Sequence, residues 1–232
     1  MNDLGSDRRT IAFDLYNQLK SDIIRLQITP GETVSAAEIA RQYGVSRQPV
    51  REAFIHLADD GFLLIRPQRP TIVRPISEDA VLDAHFVRSA IEDAVIRESA
   101  KRWNSKASVE IQNIITQQKA ASNAADLSAF HAADELFHET IAEQAGFPFA
   151  WQVVMKQKAQ MDRVRFLSLS TTTSQTIAEH EQIVAALTQN DPQAASEAMK
   201  AHLGRIVGFL IQLREEHSTY FRPIGAVDGS AP

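Results

Sequence analysis

The spacing of apolar residues predicts a mainly α-helical chain. Between residues 11 and 26, apolar side chains recur every three or four positions, as on one face of an amphipathic helix that ends before Pro30. A second helix is predicted over 36–43 and a third over 46–60. The residues at 62–74 then predict two short strands joined in a hairpin. Three helices followed by a hairpin are the element order of a winged helix-turn-helix.

The pattern after residue 76 is helical throughout. Neither proline nor glycine occurs between Pro75 and Gly146, which favours long helices. We expect the Ser/Thr run at 168–174 to divide two of these helices. The sequence therefore predicts an all-α bundle of six to seven helices. The clearest segments are 78–102, 107–122, 126–145, 147–169, 174–189 and 192–215.

The composition limits the classes of protein to which the chain can belong. Its 232 residues suffice for two domains, and the absence of cysteine excludes a disulfide scaffold, a thiolate metal site and a cysteine nucleophile. No apolar run approaches the roughly 20 residues that a membrane span needs, and residues 1–10 lack the apolar core of a signal peptide. We therefore expect a cytoplasmic protein without membrane contact, with domains at 1–76 and 77–220 and a flexible tail at 221–232.

Charge is distributed unevenly between the two predicted domains. The whole chain carries a net charge of −5, which taken alone argues against a polyanionic partner. Residues 1–75 contain ten Lys or Arg against nine Asp or Glu, whereas the remainder contains fourteen against twenty. Within 41–74, six arginines stand against three acidic residues. An acidic chain with one locally basic segment is typical of a small nucleic-acid reader attached to another domain.

The start of the third helix carries the chemistry of a DNA reader. Side chains at the N-terminus of a recognition helix reach into the major groove, where arginine can donate two hydrogen bonds to guanine. Arg47 and Arg51 lie four positions apart, on one helical face. The hairpin tip would bring Arg69 to a minor groove or a phosphate. A solvated helix face could also explain such an arginine pair, but it explains neither the helix-turn-helix spacing nor the arginine at the tip.

A run of motifs in the predicted winged helix-turn-helix is more specific than the charge. Pro30-Gly31-Glu32, Glu38-Ile39-Ala40 and the stretch Gly44-Val45-Ser46-Arg47-Gln48-Pro49-Val50-Arg51-Glu52-Ala53 resemble the DNA-binding domain of the GntR family of bacterial transcription regulators. The resemblance implies that Arg47 and Arg51 contact DNA. Together with the rest of the helix start and the hairpin tip, we expect a DNA-contacting set of Ser46, Arg47, Gln48, Pro49, Arg51 and Arg69. Two positions depart from the pattern: Ala37 stands where some relatives have an arginine, and the tip carries Gln68-Arg69 where a glycine is common.

Three histidines of the helical part lie on faces that we expect to be buried. Asp134 and His138 are four positions apart on one helix, and His180 and His202 lie on apolar stripes of two others. A lone histidine on an apolar face is usually a satisfied core residue. Three histidines and an aspartate that converge could instead hold a divalent ion such as Zn²⁺, Ni²⁺ or Mn²⁺, leaving positions for water or a carboxylate ligand.

The segments around these residues follow a pattern of their own. Asp134-Glu135-Leu136-Phe137-His138, Glu179-His180-Glu181-Gln182-Ile183 and Ala198-Met199-Lys200-Ala201-His202-Leu203 resemble the ligand-bearing motifs of the FCD domain, the all-helical effector domain of the FadR subfamily of GntR regulators. The resemblance implies that Asp134, His138, His180 and His202 hold a divalent metal ion in the centre of the bundle. His131 lies outside that pattern, and we expect it to be structural or to lie at the rim of the site.

Arginines of the helical part are candidates for binding an effector. Arg88 precedes Ile91-Glu92 in a spacing similar to the family's Arg-x-x-apolar-Glu signature. A guanidinium beside a metal would hold a small carboxylate by two parallel hydrogen bonds, whereas a surface ion pair with Glu92 is the alternative explanation. Arg163 and Arg165 are further candidates for the effector pocket, and the sequence leaves open which of them points inward.

Functions of different classes follow from these patterns. The first is a homodimeric transcription regulator, expected to be a repressor, that binds a palindromic operator in double-stranded DNA under the control of a small organic acid. The second is a metal-dependent enzyme that activates water at the Asp/His site. No further residue is clearly placed as a general base, which favours the regulator. A structural helical protein with core histidines would leave Arg47 and Arg51 unexplained.

Overall fold

The structure of the protein is a computed structural model that describes residues 4–222, and of residues 4–9 only the backbone. The described residues form two compact units, one made of residues 4–77 and 217–222 and the other of Glu78–Glu216. The tail predicted over 221–232 lies outside the described residues from position 223 onward. Within residues 4–222, no helix combines the length and the apolar character needed to cross a bilayer.

Three helices and a small sheet make up the N-terminal unit. The helices are α1 (Leu4–Ile24), α2 (Ala36–Gln42) and α3 (Arg47–Asp59), and the strands are β1 (Thr33–Val34), β2 (Leu63–Leu64) and β3 (Thr71–Val73). Strand β3 lies between the other two and is antiparallel to both. The predicted hairpin is therefore β2 and β3. The pattern gave no sign of β1, because two residues are too few to show an alternation.

The turns of this unit follow local backbone chemistry. Gly44, between α2 and α3, has a φ of +65°, a left-handed value that favours glycine. Ser35 caps α2 by accepting a hydrogen bond from the backbone N–H of Ala37 at 3.3 Å. Ser46 occupies the corresponding position before α3, but its side chain makes no capping hydrogen bond. A serine before the first turn of a helix is a favoured capping residue, but Ser46 does not act as one here.

Helix α1 fixes the orientation of α3. Leu19 of α1 and Leu57 of α3 are both buried in the core of the unit. At the end of α3, Asp60 accepts hydrogen bonds from the Tyr16 hydroxyl and from Lys20, whose Nζ lies 2.8 Å from the carboxylate. Apolar packing and this polar contact together hold the helix that the sequence identifies as the DNA reader.

Six helices make up the second unit. They are α4 (Glu78–Arg102), α5 (Ser105–Asn123), α6 (Leu127–Ala145), α7 (Pro148–Gln157), α8 (Ala159–Thr188) and α9 (Pro192–Glu216). Two of them begin with an aspartate cap: Asp126 accepts a hydrogen bond from the backbone of Ala129 and Asp191 from that of Ala194. Apolar residues from all six helices form one continuous core. The observed fold is thus mainly α, with a winged helix-turn-helix and a helical bundle.

Helix α8 continues through the Ser/Thr run at which we predicted a break. The chain instead breaks at Lys158, between α7 and α8. The Thr172 hydroxyl, within the run, donates to the carbonyl of Ser168 at 2.9 Å, and the Thr176 hydroxyl, just after it, donates to that of Thr172 at 3.0 Å. Hydroxyls that bond back to the preceding turn leave the helical backbone intact. Helices predicted over 147–169 and 174–189 are therefore wrong at their common boundary.

The end of the described chain packs on the N-terminal unit. The backbone N–H of Ile76 donates to the carbonyl of Tyr220 at 2.8 Å, and that of Arg222 donates to the carbonyl of Ile76 at 2.9 Å. Phe221 is buried. Residues 217–220, which we predicted as part of the helical domain, thus group with the first unit, and residues 221 and 222 are held by backbone hydrogen bonds.

Candidate metal centre and nucleic-acid interface

Four possible metal ligands come together inside the helical unit. Asp134 and His138 lie one turn apart on α6, His180 lies on α8 and His202 on α9. All four side chains belong to buried residues, none more than 5% exposed. One ligand atom from each lies within 4.8 Å of those of the others. The apolar stripes of three helices carry these residues to one point.

The chemistry of the group fits a divalent ion. His180 Nε2 lies 3.4 Å from His202 Nε2 and 3.7 Å from a carboxylate oxygen of Asp134. His138 Nε2 is buried and has no hydrogen-bond partner among residues 4–222. A buried nitrogen of this kind is costly unless something binds it. Imidazole nitrogens with one carboxylate suit Zn²⁺ and other first-row ions, so the group could hold a metal.

Each of the three imidazoles is hydrogen-bonded at Nδ1, away from the centre. The acceptors are Glu92 for His138 at 2.6 Å, Glu179 for His202 at 2.8 Å and Gln118 for His180 at 3.0 Å. An acceptor at Nδ1 places the proton there and leaves the Nε2 lone pair facing the centre, as a metal ligand requires. Phe137 also stacks on the His180 ring, with 3.8 Å between the ring centroids.

Burial and neighbouring charges set the protonation states of His180, His202 and Asp134. It lowers the pKa of His180 and of His202 well below the usual 6.5, so both imidazoles are neutral at pH 7, the form that binds metals. Burial alone would raise the pKa of Asp134, but Arg165 and the neighbouring histidines hold it well below its usual range. The centre therefore presents three imidazole rings and one carboxylate anion.

Two of the Nδ1 acceptors connect the centre to arginines. Arg88 Nε donates to Glu92 at 2.5 Å, and Arg205 Nη1 donates to Glu179 at 3.0 Å. Each glutamate thus bridges one guanidinium and one imidazole of the centre. We call these two chains the arginine–glutamate–histidine bridges. Burial alone would raise the pKa of Glu92, but Arg88 and His138 hold it well below its usual range.

A recess lies beside the centre, and His202 forms part of its wall. Arg165 lines it and donates to Asp134 at 2.6 Å. Arg88 lines it as well, and its Nη2 is buried without a hydrogen-bond partner among the described residues. A concave site with a buried guanidinium is suited to an anion. The other lining residues are Met161, Ser168, Leu169, Thr172, Thr176, Leu203, Arg205, Ile206 and Phe209.

The two candidate arginines of α8 face different ways. Residues two positions apart on a helix are separated by about 200°. Arg165 contacts Asp134 and lines the recess, whereas Arg163 is fully buried elsewhere and donates to Gln160 at 3.2 Å. Burial lowers the pKa of the Arg163 guanidinium to about 10. The inclusion of Arg163 in the effector set is thus not supported by its position.

A second acidic group lies next to the centre. His131, Glu135 and Asp162 are close enough to share an ion. Lys158 Nζ already lies 2.8 Å from Glu135 and 2.6 Å from Asp162, so an ammonium supplies the positive charge there. His131 lies 3.3 Å from Glu135. The expectation that His131 is structural agrees with these contacts.

Sequence reasoning missed three polar residues of the site. Gln118, Glu179 and Arg205 contact either a possible ligand or its partner. Gln118 and Glu179 lie on helices at positions where polar residues are ordinary. Arg205 stands three positions after His202, on the same face of α9, and this spacing was the one available signal.

The residues predicted to contact DNA are mostly exposed on the N-terminal unit. Ser46, Arg47, Gln48 and Arg51 are exposed at the start of α3, and Arg69 is exposed between β2 and β3. Pro49 is buried with the apolar face of α3, so its predicted contact with DNA is not supported. Gln68 has a φ of +57°, the left-handed value that a glycine would adopt more easily at this tip.

Comparison with known proteins matches both units to one kind of protein. Residues 12–73 match the family described as bacterial regulatory proteins, gntR family, and residues 83–205 match the FCD domain, which is over half of the chain. The chain belongs to the GntR family. This regulator is 36% identical over 209 residues to the HTH-type transcriptional repressor RspR of Escherichia coli K12, covering 89% of this chain and 92% of RspR.

Further relatives agree with this assignment. The GntR regulator is 30% identical to a protein named probable D-xylose utilization operon transcriptional repressor from Paenarthrobacter nicotinovorans, over 84% of this chain and 87% of that one. The structure of E. coli McbR/YncC has the same fold, with a TM-score of 0.72 and 17% identity over 87% of this chain and 97% of that one. The chain is a DNA-binding transcription regulator with a domain for a small-molecule effector, and the enzyme hypothesis is not supported.

Proposed function

We propose that the protein is a homodimeric repressor whose affinity for a palindromic operator is controlled by a small organic acid bound at a metal ion. The observation that carries the proposal is the position of His202 and Arg88 in the wall of one recess. A carboxylate in that recess can meet a metal ion and an unpaired guanidinium nitrogen at the same time. The names of two relatives, both called repressors, support repression as the direction of control.

Four residues would hold the metal ion: Asp134, His138, His180 and His202. When bound, the ion supplies a Lewis-acidic partner for a ligand carboxylate. The donor set suits Zn²⁺, Ni²⁺ or Mn²⁺. Arg88 and Arg165 would then bind the effector, Arg88 through its free Nη2 and Arg165 from the wall beside Asp134.

The operator contacts would come from the exposed start of α3 and from the tip between β2 and β3. Arg47 and Arg51 share one face of α3 and are exposed, as base-reading arginines must be. Ser46 and Gln48 would add contacts beside them, and Arg69 would contact the flanking backbone or minor groove. In a dimer, two copies of this surface would read two half-sites of an inverted repeat.

The effector must bind two arrangements of the protein with different affinities, because otherwise it cannot change operator binding. The arginine–glutamate–histidine bridges supply a physical connection between the recess and the metal ligands. An anion at Arg88 changes the electrostatic partner of Glu92, and Glu92 orients His138. Effector and metal should therefore bind cooperatively.

The proposal is tested with protein purified without chelator or nickel resin. We expect elemental analysis to find a divalent first-row metal, and His180→Asn to lower its content at least tenfold. We expect an operator obtained by in vitro selection to be released when carboxylates are added to the loaded protein. A metal-free wild type whose operator binding responds to the same acids would contradict the role of the metal.

A further inference from the structure

One wall of the recess carries a row of hydroxyl groups on α8. Ser168, Thr172 and Thr176 are spaced four residues apart and therefore lie on one face of the helix. Thr172 and Thr176 are buried, and Ser168 is partly buried. We call these three residues the hydroxyl row. No part of the proposed metal and carboxylate chemistry requires them.

The hydroxyl row presents acceptors to the recess. Ser168 donates its proton to the carbonyl of Arg165 at 3.0 Å, Thr172 to that of Ser168 at 2.9 Å and Thr176 to that of Thr172 at 3.0 Å. With each proton directed back into the helix, the oxygen lone pairs remain for other partners. Thr176 uses one on Arg205, whose Nη2 donates at 2.6 Å. A ligand that faces this wall is best matched by hydrogen-bond donors.

The arginines restrict the kind of donor. Arg88, Arg165 and Arg205 all line the recess, and a ligand ammonium would be repelled by them. The donors must therefore be neutral. A second ligand carboxylate against Thr172 would place one hydrogen-bond acceptor against another, which is unfavourable. Hydroxyl groups on the ligand are the simplest neutral donors that match this wall.

Two further observations point to a ligand in this place. Arg88 is 2% exposed, and its Nη2 has no hydrogen-bond partner among the described residues, so the recess contains a buried donor suited to a carboxylate. Helix α9 contributes apolar wall residues, Leu203, Ile206 and Phe209. A carbon chain with hydroxyl groups on one side and C–H groups on the other would satisfy both walls.

We infer that the effector is a hydroxylated carboxylic acid, whose hydroxyl groups donate to Ser168 and Thr172 while its carboxylate binds Arg88. This inference rests on the proposed function, since it takes the recess to be the effector site. It goes further by distinguishing hydroxy acids from plain acids of the same chain length. Because the inference is tested by ligand binding, it does not depend on which metal ion the protein holds.

The test uses pairs of acids that differ only in hydroxyl groups. Succinate is compared with both enantiomers of tartrate, and hexanoate with gluconate and galactonate, by calorimetric titration of nickel-loaded protein. Because hydroxy acids also chelate free ions, the metal content of the protein is measured after each titration. We expect at least one hydroxylated acid to bind at least tenfold more tightly than its plain partner.

Substitutions then locate the preference. Thr172→Val removes the hydroxyl with little change of shape, and we expect it to reduce the preference about fivefold or more, as for the loss of a hydrogen bond. Ser168→Ala changes a partly exposed position, so it measures the same preference if the buried substitution Thr172→Val disturbs folding. Thr171→Val is the matched control, because Thr171 is exposed on the same helix and does not line the recess.

Three outcomes would overturn the inference. If plain and hydroxylated acids bind equally, carboxylate sensing stands and the hydroxyl row has no role in it. If the preference survives both Thr172→Val and Ser168→Ala, the hydroxyl groups bind elsewhere. If none of the acids binds the loaded protein, the inference and the proposed effector site fail together.

Discussion

At the scale of single residues, the acceptors at Nδ1 decide what the histidines can do. Glu92 and Glu179 are anions that accept from His138 and His202, whereas Gln118 is neutral and is itself fixed by donating to the carbonyl of Ala133 at 3.2 Å. A carboxylate behind an imidazole raises its basicity and holds its ring. Two of the three imidazoles should therefore be stronger ligands than isolated ones.

Replacing Glu179 by Gln should weaken metal binding about 10- to 100-fold, because the imidazole of His202 loses its anionic partner. Competition with a chromophoric zinc chelator measures the affinity. Glu181→Gln is the matched control: this residue lies two positions further along α8, is exposed and pairs with Lys119. Equal zinc affinities for the two variants would show that Glu179 does not act on the metal ligands.

The lowered pKa values of His180 and His202 make the metal-free protein sensitive to mild acid. Both imidazoles are neutral when folded, whereas the unfolded chain takes up protons below about pH 6.5. Stability is therefore fully present above pH 6.5 and is lost as the pH falls from there toward the folded pKa values. We expect the free energy of unfolding to fall by roughly 1–3 kcal/mol between pH 6.5 and 5.5.

Urea unfolding of chelator-treated protein checks this expectation. In the His180→Gln variant the free energy of unfolding should fall less steeply with pH, because the glutamine side chain does not titrate in that range. His56→Gln is the control, since His56 is exposed on α3. A free energy of unfolding that does not change between pH 7.5 and 5.5 would contradict the assignment of neutral, buried imidazoles.

At the scale of elements, the break between α7 and α8 carries a buried lysine. Lys158 is 2% exposed and contacts Glu135 on α6 and Asp162 on α8. Its ammonium compensates the two carboxylates, one of which is the neighbour of Asp134. Burial alone would raise the pKa of Glu135, but His131 and Lys158 lower it to about 2. These ion pairs thus hold the junction of α7 and α8 beside the candidate metal centre.

Replacing Lys158 by Met should lower the free energy of unfolding by roughly 3–5 kcal/mol, because the buried carboxylate of Asp162 and the partly buried one of Glu135 lose their shared cation. Chemical unfolding measures the change. Lys156→Met, two positions earlier and exposed, should stay within about 0.5 kcal/mol of wild type. Adding Asp162→Asn to the Lys158 variant should recover part of the loss, and no recovery would contradict the electrostatic explanation.

The same region shows how far sequence patterns reach. Periodicity predicted α4, α6 and α9 to within a residue or two, because long apolar stripes and clear caps mark them. It misplaced the break in α8, since Ser and Thr favour turns in isolation but can bond back to the helix when one face is packed. Lys158, where the break occurs, carries no turn signal of its own.

The residues of the candidate site also divide into those that the sequence could predict and those that it could not. Asp134 and the three histidines were predictable because ligands need particular residue types on inward faces. The orientation of Arg163 and Arg165 was not, because both have apolar neighbours and only the packed structure decides which of them reaches the recess. Glu179 and Arg205 were missed because their contacts link different helices, and sequence spacing within one helix does not reveal such pairs.

At the scale of the whole molecule, the uneven distribution of charge follows the boundary between the two units. The acidic helical unit contains the candidate metal centre, and the exposed arginines of α3 lie in the unit matched to the DNA-binding family. A net charge of −5 hides this arrangement. Operator affinity should therefore depend on a few arginines and should fall steeply with salt.

In vitro selection from random duplex DNA tests the dimeric reading of the operator. We expect the purified protein to enrich an inverted repeat with half-site centres about 10 base pairs, or one helical turn, apart, because two-fold symmetry places two copies of α3 on one face of DNA. Arg51→Ala should weaken binding to that sequence by about 1–3 kcal/mol in fluorescence anisotropy. Arg25→Ala, on the exposed end beyond α1, should leave it unchanged. Enrichment of a single half-site without symmetry would contradict the proposed dimer, because a lone copy of α3 would then suffice for recognition.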